Sequence, residues 1–80
     1  MDLGIFEEQL LNYLPANMRY MARNQDGSLY LYEEHPFKSY EKGKEGTWDH
    51  DCGICEKLAL PGIYESVKWT DDYPWNFRQY

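Results

Sequence analysis

The dipeptide Asp26-Gly27, set between two runs rich in Tyr, Leu and Met, constrains this chain more than any other feature. Asp-Gly favours the positive backbone angles of a tight turn, so residues 19–23 and 28–33 are expected to close as a β-hairpin. A three-residue loop over residues 25–27 puts Gly27 in the left-handed conformation of a bulge. That register sets Arg23 opposite Leu29, Met21 opposite Leu31 and Tyr20 opposite Tyr32. One face then carries Met21, Leu29 and Leu31, and the other carries Tyr20, Ala22, Tyr30 and Tyr32. A two-residue loop is the alternative and shifts every pair.

Ahead of the hairpin, Leu3, Phe6, Leu10 and Leu14 fall on one face of a short amphipathic helix, with Glu7, Glu8 and Asn12 facing away. Asp2 is the expected N-cap, and Pro15 ends the helix because it biases Leu14 out of helical geometry. Behind the hairpin, residues 34–46 read as a long polar loop, with Trp48 as its anchor in the core. Residues 55–60 read as a helical turn before Pro61-Gly62 breaks the chain. Ile63, Val67 and Trp69 then suggest a last strand, although Glu65 spoils its alternation. The expected architecture is α+β: an N-terminal helix on an antiparallel sheet of about three strands, stapled by a structural zinc site.

Eighty residues make one domain, spanning residues 1–80. A chain this short buries only about 60% of its unfolded surface, so it needs reinforcement. Hydrophobic residues at 42% and aromatics at 18% argue for a folded chain. Fourteen acids against eight bases leave a net charge of −6, with no basic stripe. That excludes the usual electrostatic footprint of a nucleic-acid binder. With no signal peptide and no apolar run long enough to span a bilayer, the expectation is a cytoplasmic protein with no membrane contact.

The reactive residues gather in His50-Asp51-Cys52-Gly53-Ile54-Cys55. Cys52 and Cys55 place two thiols on one knuckle, and His50 and His35 complete a tetrahedral zinc inventory. Asp49, Asp51 or Glu56 is an alternative oxygen ligand in place of a histidine. The same step has two further readings, thiol exchange and a pair of small buried side chains. No phosphate loop or nucleophile elbow is present, and four filled zinc positions leave none for substrate, so the chain reads as a non-enzyme.

A partner surface is expected where acids meet aromatics: Glu33, Glu34, Asp49, Asp51, Asp71 and Asp72 interleaved with Tyr30, Tyr32, Tyr64, Tyr73 and Trp75. Residues 20–32 with the following 33–36, and the closing residues 67–75, resemble small proteins of phages and prophages of Gram-positive bacteria. Within that set, the size, acidity and Cys-His cluster are similar to anti-CRISPR proteins of streptococcal phages that act on type II effectors. The resemblance implies a Cas9 effector with its guide RNA as partner, met in the bacterial host cell, and obstruction of its DNA loading or cleavage. The alternative is a phage-encoded zinc or thiol protein that binds another host protein.

Overall fold

The computed structural model describes residues 3–60 and 62–79; Asp2, the expected cap, and Pro61 lie outside the described residues. Helix α1 spans Ile5–Leu11, and its N-cap is Gly4. Glu7 supplies what a capping side chain would, accepting a hydrogen bond from the Gly4 N–H at 3.0 Å. The helix ends at Leu11, one turn before Pro15. Leu11 and Leu14 are buried, with Leu3 and Leu10 packed beside them, but Phe6 is 65% exposed and leaves the expected stripe.

Strands β1 (Tyr20–Arg23) and β2 (Leu29–Tyr32) form the expected hairpin in the expected register, Tyr20 opposite Tyr32 through Arg23 opposite Leu29. Gly27 takes φ +95°. The Asp26 carboxylate accepts from both the hydroxyl and the N–H of Ser28, which holds its pKa below the usual carboxylate range.

The rest of the sheet departs from expectation. Residues 55–60 supply strand β5 (Cys55–Leu58), not a helical turn, and β5 pairs antiparallel with β2. The run has neither a helical stripe nor an apolar core face, and strand β2 offers its open backbone groups as a template. Residues 63–69 form no strand. Ile63, Tyr64 and Val67 all turn into the core, a spacing that suits a tight turn and not an alternation of faces. The fourth strand is β6 (Trp75–Asn76), which pairs with Met21 and Tyr20 of β1. The sheet order is β5-β2-β1-β6, and a separate ribbon joins β3 (Phe37–Lys38) to β4 (Trp48–Asp49).

Each sheet face has its own core. On one side Met21, Leu29 and Leu31 meet Leu11, Leu14, Ile63, Tyr64, Val67 and Phe77. On the other Ala22 and Tyr32 meet Trp48, with Tyr20, Tyr30, Cys55 and Trp69 around them. The long polar loop is tied down by protein groups. Asn24 accepts from the Trp48 N–H at 2.9 Å, the Trp48 indole donates to the Arg23 carbonyl at 3.0 Å, and the Gln25 N–H donates to Gly46.

Candidate functional site

His35, His50 and Cys55 stand around the Tyr20/Tyr32 pair, and Cys52 meets His50 only through its carbonyl oxygen. His35 stands edge-on to Tyr20, with ring centroids 5.1 Å apart, and His50 edge-on to Tyr32 at 5.6 Å. Cys55 begins β5 opposite Tyr32 and is half-buried, whereas Cys52 is exposed; both are free thiols. Burial pushes the Cys55 thiol up, the opposite of what thiol exchange needs, and a hydrogen bond with Tyr32 offsets this in part. His50 turns its Nδ1 to the Cys52 carbonyl oxygen at 3.2 Å. Among the described residues, no three His, Cys, Asp or Glu side chains gather to hold a metal ion. As placed, Cys52, Cys55, His50 and His35 do not make a tetrahedral site.

The alternative oxygen ligand Asp49 is committed elsewhere. It accepts from the His50 N–H and lies 3.6 Å from the Lys44 ammonium, and these hold its carboxyl below the usual range. The turn itself is tightly packed. Gly53 has φ +83°, and a Cβ there would lie 3.0 Å from Glu34 and 3.1 Å from Glu33, so any larger residue would be strained and crowd these side chains.

The expected acidic and aromatic patch divides. Tyr32 and Tyr64 are buried, and Trp75 packs between Tyr64 and Phe77. Glu33 and Glu34 flank the Gly53 turn, where Glu33 also accepts from the Asn17 amide at 2.6 Å. Asp71 accepts from the Lys68 N–H and closes a turn. Asp72 and Tyr73 are exposed and line a groove of about 410 Å³ together with Pro74, His35 and Pro36.

The other wall of that groove is made by residues the sequence reading passed over. Tyr40 is 94% exposed and Phe37 43%, and with Tyr73 at 76% they place three large aromatic side chains around one depression. Trp48 forms part of the lining, and Lys38 turns its ammonium onto the rings of Trp69 (4.5 Å) and Trp48 (5.5 Å). Those two indoles meet edge-on at 84°, so Lys38 pins the β3–β4 ribbon against the body by cation–π attraction. The signal for the groove was present in the sequence: Phe37 and Tyr40 are isolated bulky aromatics in an otherwise charged loop, where no core periodicity calls for them.

A second cleft, of about 480 Å³, lies between Phe6 of α1 and Leu60, Gly62 and Ile63. No helix among the described residues is long and apolar enough to cross a membrane.

No family model, no curated protein and no solved structure matches this chain. The fold and the groove define a small α+β domain that displays aromatic side chains at its surface.

Proposed function

We propose that the chain acts by binding a protein and not by catalysis, with the groove between residues 35–40 and 72–74 as the docking surface. The exposed Phe37, Tyr40 and Tyr73 carry this reading, because large aromatics are the usual anchors of protein interfaces. Following its resemblance to anti-CRISPR proteins, the partner is a Cas9 effector complex with its guide RNA, in the cytoplasm of a bacterial host. The net charge of −6 suits approach to such a basic surface. That charge is modest for imitation of a DNA duplex, so the domain acts by sitting on a protein surface that DNA must pass.

The test is co-elution with the guide-loaded effector, run beside a DNA-cleavage assay. A complex and loss of cleavage are expected, with Tyr40→Ala plus Tyr73→Ala weakening both by about tenfold or more. Full cleavage with no complex rejects this partner. Binding that survives the double substitution rejects the groove.

Zinc is the second reading, and the placement of Cys52, Cys55 and His50 on one short turn favours it. A metal there requires these side chains to converge, since among the described residues no three such groups gather to hold an ion. On this reading purified protein carries about one zinc per chain, and chelator or Cys52→Ser lowers the melting temperature by about 10 °C or more. Metal-free protein whose melting is indifferent to chelator rules the staple out.

A further inference from the structure

We infer that the groove takes an extended, proline-containing segment of a partner protein with a basic residue flanking the prolines; this rests on the groove being the docking surface. Three features of the groove point to that chemistry. First, it is a depression walled by flat rings that stand in solvent, with Tyr40 94% and Tyr73 76% exposed. Such rings suit an extended ligand laid across them better than one side chain plunged between them. A polyproline helix is already extended and ordered, so it loses little entropy on docking, and its pyrrolidine rings pack on aromatic faces.

Second, the groove's charges are unequally committed. The Lys38 ammonium is held over Trp69 and Trp48. Asp72 is exposed, and the salt bridges among the described residues involve only Lys44 with Glu41 and Asp49. The Lys38 ammonium keeps its charge but is half-buried against the indoles, so the exposed charge on the rim is that of Asp72, and its complement is an arginine or lysine beside the prolines. The net charge of −6 acts in the same direction at longer range.

Third, the base of the groove is held in place. Trp48 is buried and fixed through its own backbone N–H and its indole, and Pro36 and Pro74 restrict the backbone on either side. A preformed wall holds an extended ligand without having to order itself first.

The probe is a labelled synthetic peptide of about ten residues carrying one arginine and two Pro-Pro steps, titrated by fluorescence anisotropy. Saturable binding is expected. It should weaken by about tenfold when the prolines become alanine, by about tenfold in Tyr73→Ala or Tyr40→Ala, and by about threefold in Asp72→Asn or when the peptide arginine becomes glutamate. Tyr40 and Tyr73 are exposed, so both variants stay folded, which near-ultraviolet circular dichroism checks. No binding at about 1 mM peptide overturns the inference, as does equal binding of the proline-free peptide. A concentration-dependent dimer that Tyr73→Ala abolishes would put a second copy of this chain in the groove and also overturn it. If the peptide fails while Tyr40→Ala plus Tyr73→Ala still disrupts the effector complex, the docking reading survives and the proline chemistry falls.

Discussion

Arg23→Met should lower the melting temperature by roughly 15–25 °C, among the largest effects available in this chain, corresponding to about 3–4 kcal/mol. The Arg23 guanidinium donates through Nε to the Val67 carbonyl at 2.8 Å and through Nη2 to Ile63 at 2.7 Å and Tyr64 at 3.1 Å. Its Nη1 donates to Gly27 at 2.7 Å. One side chain thus closes the hairpin loop and nails the irregular segment 63–67 onto it. Methionine keeps the apolar stem but leaves half-buried carbonyls without donors, and each such loss to a charged donor costs about 1.5–3 kcal/mol, less what water recovers. Arg23→Lys should recover only part of the loss, because a single ammonium cannot reproduce the planar fork. Thermal unfolding followed by circular dichroism decides it. A Met variant within a few degrees of the parent would show that water replaces the fork freely. Added salt should change little, since Arg23 is held by carbonyls, not by a surface ion pair.

Arg78 does the same work at the other end of the molecule. It donates to the carbonyls of Met18, Leu11, Leu14 and Pro15, at the end of α1 and in the turn after it; that of Pro15 also accepts from the Met18 N–H. A cation at a helix C-terminus also meets the negative end of the helix dipole. Two arginines bound to backbone oxygens therefore fasten a helix and a loop to a small sheet. They supply reinforcement of the kind a core this small needs.

Neither role is visible in the chain before it folds. The Arg23 acceptors at residues 63, 64 and 67 and the Arg78 acceptors at residues 11–18 are remote in sequence, and carbonyls carry no side-chain signature. The hairpin was legible because its causes are local, and the favoured three-residue loop gives the observed register, although the sequence left a two-residue loop open. Asp26-Gly27 places the turn, and the alternation of Met21, Leu29 and Leu31 against Tyr20, Ala22 and Tyr32 sets the faces. Strand β6 was not legible, because two residues are too few to show a period and Trp75 reads equally as tail or core. Strand β5 was misread for a related reason. Its exposed Glu56 and Lys57 belong to an edge, where charges guard against pairing with another chain, and such a sequence looks like a turn.

The site divides along the same line. Asp72 and Tyr73 were recognisable as an acid beside an exposed aromatic, but the wall opposite comes from residues 37–40, which only the β3–β4 ribbon brings near. Cys52, Cys55 and His50 are adjacent in sequence and so were easy to group. Whether neighbours converge on one point depends on side-chain directions, and here Cys55 faces Tyr32 while Cys52 faces solvent.

Tyr64→Ala should cost about 3–5 kcal/mol, and Tyr64→Phe about 1–2 kcal/mol, because this side chain is both core and strut. It is fully buried, its hydroxyl donates to the Glu7 carbonyl at 2.7 Å, and its N–H donates to the Glu7 carboxylate. Those bonds hold it at φ +53°, an uncommon angle for a residue with a side chain, and they couple α1 to the 63–67 turn. Burial, and then the Glu7 charge, push the Tyr64 phenol up to about 12. Burial also raises that of Tyr32. The sign follows from linkage. Below about pH 10 both folded and unfolded chains keep these phenols protonated, and the contribution is fully present. As pH rises from about 10 to about 12 the unfolded chain ionises first, so stability falls across that window. Urea unfolding at about pH 8 and about pH 11 should show a lower midpoint at the higher pH, and the gap should shrink in Tyr64→Phe and shrink further when Tyr32→Phe is added. An unchanged gap in the double variant would mean that other groups carry the alkaline loss. The comparison separates the two roles, because Tyr64→Phe keeps the ring against Trp75 and removes only the hydroxyl that ties the turn to the helix.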